Sequence, residues 1–252
     1  YPDAIYLDLP DVPSSWDAQG TLDEDTYVII DERVGRYIDT RGPIDEYFGS
    51  LSSKFCSNQR QAARRIAELA GSTFLFLSGP DAQPAYLARF AEIEAKSWKG
   101  RRGGALHGNA ELHAFYVRLV HNLFAAGWLE WNIASADSGD LAMNLCVRCG
   151  ESVVLLKLAY SEAYKKYSPG SVLLRELVRA EFANPSTNEV NLLTDWDWCD
   201  RWNMPERRYC HVRVVNPQSI RSTWLSFHGT RLRQALRRVS APGPGGRPSR
   251  ER

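Results

Sequence analysis

Nothing in the chain stays apolar for the roughly 20 residues needed to cross a bilayer, and its first residues lack the basic-then-apolar pattern of a secretory leader. These two absences make a cytoplasmic setting, with no membrane partner, the expectation. Net charge is scarce as well. Lys and Arg total 31 against 30 Asp and Glu, a formal charge of +1, so no global field draws the chain toward nucleic acid. Cysteine is sparse and odd in number, five in all, which speaks against a disulfide framework and for a reducing compartment. Cys146-Val-Arg-Cys149 has the spacing of half a zinc site, but Cys199 and Cys210 stand too far apart to complete it. A cysteine pair in a buried hairpin is expected there, and no metal. His113 and His121 lie about two helical turns apart and cannot share an ion. No Gly-x-Ser-x-Gly elbow or other Ser-His-Asp signature is present, so catalysis through a hydroxyl nucleophile has no support.

What the chain does have is aromatic bulk, with 8 Trp, 11 Tyr and 9 Phe, and enough length for one large domain or two small ones around a sizeable core. Its most organised stretch spans 151–182. Ser152-Val-Val-Leu-Leu-Lys-Leu-Ala-Tyr160 is β-branched and apolar without clean alternation, the pattern of a central strand covered on both faces. Tyr164-Lys-Lys-Tyr-Ser-Pro-Gly170 follows. Ser168 is placed to cap a helix, Pro169 to open it and Gly170 to admit a close neighbour. Leu173, Leu174, Leu177, Val178 and Phe182 then share one helical face. Such a strand, small-residue turn and helix aim free N–H groups and a dipole at one spot that suits a phosphate, with Lys165 and Lys166 beside it. Most strand-loop-helix units are only structural, so both readings stand at this level.

The remaining pattern is α+β. Strand-like segments at 5–9, 27–30 and 36–39 precede a single long helical pattern from Pro43 to about Leu69, stopped by Gly71. That helix gathers Lys54, Arg60, Arg64 and Arg65, which a solvated face explains without a nucleic-acid partner. A strand at 73–77 and helices at 83–96 and 109–126 come next, then three antiparallel strands turning at Asp137-Ser-Gly139 and Gly150-Glu151. Strands at 189–193 and 209–215, a helix from Pro217 and a Pro-, Gly- and Arg-rich tail from Ser240 complete the chain.

Tyr160-Ser-Glu-Ala-Tyr-Lys-Lys-Tyr-Ser-Pro-Gly-Ser-Val-Leu-Leu174 resembles the core motif of the GNAT acyltransferase superfamily, in the branch of the cellulose-biosynthesis acetyltransferase-like and FemAB-like proteins. Leu51-Ser-Ser-Lys-Phe55, Glu94-Ala-Lys-Ser-Trp-Lys-Gly100 and Trp198-Cys-Asp-Arg-Trp202 match the same branch in order and spacing. The resemblance implies a GNAT-like mixed, mostly antiparallel central sheet flanked by helices, with an incomplete N-terminal half packed through a long helix. It implies three parts: a remnant half and linking helix at 1–70, the acyltransferase domain at 71–239, and a disordered basic tail at 240–252. The start at Tyr1 suggests a fragment of a longer protein.

The activity implied is acyl-CoA-dependent N-acyltransfer, with acetyl-CoA or another acyl-CoA as co-substrate and a small-molecule amine or sugar as acceptor. In that arrangement the strand ending at Leu158 to Tyr160 parts from its neighbour near Leu192 and receives the pantetheine, while Ser168, Pro169, Gly170, Ser171 and Val172 cradle the pyrophosphate. Glu94, Glu162 and Asp195 are candidate bases, and Tyr164 and Tyr167 candidate proton donors. Trp98, Lys99, Trp196 and Asp200 are expected to face the acceptor. One departure stands out: where the branch often carries a Tyr-Lys pair, this chain has Cys199 and Asp200. The reversed charge implies a different, cationic acceptor or a silent CoA-binding or scaffold domain. FemAB-like aminoacyl transfer from charged tRNA is the enzymatic alternative and would need a basic groove.

Overall fold

The computed structural model describes residues 6–14, 27–97 and 105–215. Two compact units divide the chain, one of residues 35–206 and one of 1–34 with 207–252. In the smaller unit β1 (Tyr6–Pro13) pairs antiparallel with β8 (Glu206–Val215), and Arg213 grips Asp8 through two hydrogen bonds of 2.6 and 2.9 Å. The Trp98 and Lys99 expectations, the helix from Pro217 and the basic tail lie outside the described residues.

In the larger unit the sheet runs β2-β7-β6-β5-β4-β3. Its strands are β2 (Tyr27–Asp39, entering from the other unit), β3 (Thr73–Ser78), β4 (Leu129–Ala136), β5 (Gly139–Cys149), β6 (Ser152–Tyr160) and β7 (Glu189–Asn191). Its α-helices are α1 (Ile44–Ser50), α2 (Ser53–Ala67), α3 (Tyr86–Ala95), α4 (Ala110–Ala125) and α5 (Pro169–Phe182). All described pairings are antiparallel except β6 with β7, which is parallel. This is the mixed, mostly antiparallel α+β architecture expected from the sequence.

Strand alternation sets two cores. Trp131, Ile133, Met143 and Leu145 point to one face and pack with Phe90 of α3 and Val120 of α4. Ala134, Ala142, Val172 and Leu173 cluster on the other with Ile66 of α2. Tight turns join the central strands. Gly71 sits at φ 65, and a Cβ there would lie 1.8 Å from Asp137 Oδ1, so a larger residue must adopt a strained backbone and displace the Asp137 side chain.

Two local expectations change. The single helix from Pro43 to Leu69 is two, because Gly49 and Ser50 end α1 and Ser52 caps α2 by accepting from the Phe55 N–H at 3.2 Å. The segments at 27–30 and 36–39 are one continuous strand, since the charged residues between them sit in the ladder rather than in a turn.

Candidate functional site

The strand β6 carries the irregularity that shapes the site. Leu145 of β5 pairs with Lys157, but Cys146 pairs with Leu155, so Leu156 is an extra residue in the ladder. A bulge of this kind bends its strand and re-aims side chains. Val153, Leu155, Leu158 and Tyr160 therefore share the α5 face, while Leu156 and Ala159 join the α3–α4 core and Lys157 pairs with Glu94 of α3. The missing alternation in the sequence is this bulge.

β6 and β7 pair only from Ser152–Glu189 to Val154–Asn191. β6 then continues to Tyr160, while the chain after Asn191 leaves the ladder through Leu193 at φ 54 and enters a short 3₁₀ turn, Asp197–Trp202. A cavity of about 450 Å³ opens on this side of the split sheet, lined by Leu155, Leu158 and Tyr160 of β6, Ser168 to Ser171, Phe55 and Gln59 of α2, and Trp198, Arg201 and Trp202 of the 3₁₀ turn. That volume is in the range of small-molecule sites.

At the start of α5 the turn differs from the expected cap. Ser168 is left-handed, at φ 50 and ψ 48, and its side chain makes no capping hydrogen bond. Its carbonyl instead accepts the Ser171 and Val172 N–H groups at 3.0 Å each. Pro169 has no N–H, so among these residues the Gly170 N–H is left without a backbone partner and free for a ligand. A Cβ on Gly170 would meet only the Tyr160 ring, at 3.6 Å. Lys165 and Arg201 supply the cavity's two positive side chains.

Gln59 went unnoticed in the sequence because a glutamine within an arginine-rich helix gives no signal. It is 7% exposed and donates from Nε2 to Ser171 Oγ at 2.5 Å, while its Oε1 has no hydrogen-bond partner. Asn144 of β5 lines the cavity too and begins a buried polar chain. Asn144 donates to Asn132 at 3.4 Å, Asn132 to Glu130 at 2.8 Å, and Arg148 joins Glu130 to Glu181 of α5 at 2.8 and 2.6 Å. Burial pushes the Glu130 carboxyl above its ordinary value, against the pull of Arg148.

Of the residues expected to hold a cofactor, Leu158, Tyr160, Ser168, Pro169, Gly170 and Ser171 line the cavity together. Val172 is fully buried behind them. Glu94 is fully buried in the α3–α4 core, where its carboxylate meets Lys157 Nζ at 2.9 Å and accepts the Leu106 N–H at 2.9 Å. Tyr167 packs against the Ile66 cluster and beside Tyr164, away from the cavity lining. Trp196 is 57% exposed. Asp195 and Asp200 both pair with Arg36, at 2.7 and 3.3 Å, and Glu206 joins them at 3.2 Å. The Asp195 hydrogen bond holds the Arg36 pKa above its ordinary value. Asp200 thus has a cation of its own within the fold. The cysteine pair is split by β5, with Cys146 buried and Cys149 exposed.

Comparison with known proteins agrees with this geometry. FemX has a similar fold, at a TM-score of 0.59 and 13% identity over 94% of this chain and 74% of that one. L-PGS from Bacillus licheniformis matches at 0.52 and 14% over 90% and 72%. The C-terminal domain of a putative lysylphosphatidylglycerol synthetase from Agrobacterium fabrum matches at 0.52 and 10% over 89% and 72%. No curated protein matches the sequence. The family model described as an acetyltransferase (GNAT) domain matches residues 53–197, more than half of the chain. The chain therefore belongs to the GNAT acetyltransferase domain family and is an acyltransferase.

Proposed function

We propose that the chain transfers an acyl group from acyl-CoA, acetyl-CoA foremost, to the amine of a small molecule or sugar, by direct attack on the thioester. The observation that carries this reading is the split between β6 and β7 beside a cavity whose far wall is the start of α5. The residues present fit the donor. The Gly170 N–H and Lys165 meet a diphosphate, with the α5 dipole behind them. Leu155, Leu158 and Leu174 give an apolar wall to a pantetheine arm.

Acyl-CoA supplies an activated carbonyl, so the protein needs no nucleophile of its own. The remaining work is positional: β6 past Val154, beyond the end of its ladder with β7, holds the donor in line. As the acceptor nitrogen bonds to the carbonyl carbon and the C–S bond breaks, one proton leaves the amine and one reaches the thiolate. We assign the first to Asp195, just past the split and bonded to Arg36, through a water that in turn gives a proton to the thiolate, and place the acceptor against Trp196, Trp198 and Asp200. Glu94 is committed to Lys157 and the Leu106 amide, and we assign it no proton transfer.

Thermal melting with acetyl-CoA, followed by acetylation of a panel of amines, tests the reading. A rise in melting temperature together with turnover supports it. Binding without turnover across the panel would favour the silent domain, and a tRNA affinity that falls steeply with salt would favour aminoacyl transfer.

A further inference from the structure

Phe55 and Gln59 border a second cavity on the other side of α2, of about 420 Å³, enclosed by α1, α2 and α5. Its charged lining is Arg60, Arg175 and Arg179 against Asp45, which sums to three positive charges less one, or +2. Arg175 and Arg179 stand one turn apart on α5, where like charges repel. Arg175 has its neighbour Glu176 at 2.9 Å, but among the described residues neither Arg60 nor Arg179 has an ion-pair partner. Three arginines line one hollow, Arg175 half-buried and Arg60 and Arg179 exposed, with Asp45 the one acid among the lining residues, a balance that suits an oxyanion.

Two further features belong to the lining of this cavity. The first turn of α2 has no acidic residue, and Ser53 at its start lines the cavity. Gln59, 7% exposed, presents an amide whose Oε1 has no partner. A ligand that satisfies it must bring a donor as well as negative charge.

We propose that this cavity binds a phosphomonoester with a neighbouring hydroxyl. Its charge of about −1.5 to −2 at pH 7 balances the +2 of the lining, and the hydroxyl donates to Gln59. Two sources carry that chemistry. One is the 3′-phosphate and adjacent ribose hydroxyl of the acyl-CoA donor, a source that rests on the function proposed above. The other is a separate phosphorylated small molecule.

Isothermal titration of the full chain with CoA, 3′-dephospho-CoA and glycerol 3-phosphate tests the site. Wild type, the double variant Arg60→Ser/Arg179→Ser and Gly170→Asp are compared, after circular dichroism shows matched folding. If the donor carries the phosphate, wild type binds CoA at least tenfold more tightly than 3′-dephospho-CoA, and the double variant binds the two equally. If a separate molecule carries it, glycerol 3-phosphate binds wild type and Gly170→Asp alike, and the double variant loses it. Either pattern supports the site. A double variant that binds every probe as wild type does, or a wild type that binds none, overturns it. Glycerol 3-phosphate binding with no affinity for either CoA form leaves this site standing and removes the acyl-CoA reading.

Discussion

Val154 and Asn191 form the last rung between β6 and β7. Past that pair β6 runs on for six residues, Leu155 to Tyr160, without its parallel neighbour. Leu156, the extra residue opposite Leu145 and Cys146, lies just beyond the point of separation. A bulge increases local bend and twist, so we read it as the device that keeps the two strands apart. Deleting Leu156 restores an unbroken ladder with Leu158 and Tyr160 still on the cavity face. The variant is expected to fold, with a stability loss of about 2–5 kcal/mol for the lost core side chain, and to bind CoA at least tenfold more weakly. Undiminished affinity in a folded deletion would show that the bulge does not hold the split.

Gln59 ties α2 to α5 through Ser171 and lines the cavity. Gln59→Leu removes that hydrogen bond and the amide's spare oxygen, a loss of about 0.5–1.5 kcal/mol for each hydrogen bond. CoA affinity should fall by roughly threefold to tenfold, and 3′,5′-ADP, which carries the same phosphate and ribose hydroxyl, should lose as much. Undiminished affinity for both ligands would place Gln59 outside the binding.

How much of this was legible in the sequence depends on whether a residue acts through local pattern or through a distant partner. β3 to β6, α3 to α5 and the two hairpin turns follow from periodicity and from Gly139 and Gly150, both at positive φ. The break between α1 and α2 was hidden because the apolar spacing continues across Leu51. Ser168 has the composition of a cap, and only the backbone reveals that its left-handed conformation turns its hydroxyl from that task. Arg36 reads as an ordinary strand residue. Its partners Asp195, Asp200 and Glu206 lie far along the chain, and no local signal links them.

Arg148 bridges two buried carboxylates, Glu130 and Glu181, with Thr187 also accepting from it at 2.9 Å. Arg148→Met leaves both acids without a cation. Breaking such a group from one side typically costs about 3–5 kcal/mol, and urea unfolding should show a loss of that order. A change within about 0.5 kcal/mol would mean the network contributes little.

The same network sets a pH dependence. Burial raises the folded Glu130 pKa above its ordinary value, so in the window between the two the folded state binds the proton more tightly. Stability from this group is then fully present below the ordinary glutamate value and falls as pH rises through the raised one. Glu130→Gln should flatten that part of the stability profile, measured by urea titration at successive pH values. An unchanged slope would assign it to other groups.

Gly71 combines positive φ with a Cβ position 1.8 Å from Asp137 Oδ1. Gly71→Ala should destabilise by about 1–3 kcal/mol, and Asp137→Gly in the same chain should recover part of it. A wild-type melting temperature in the single variant would contradict the close approach.

The central claim is that an acyl-CoA diphosphate rests on Gly170 at the start of α5. Calorimetric titration of CoA into wild type and Gly170→Asp tests it most directly, because the Cβ itself fits at 3.6 Å from Tyr160 and the new carboxylate opposes the ligand's charge. The account predicts a folded variant that has lost at least tenfold in affinity. Equal affinity in the two proteins, or no binding to wild type, would contradict it.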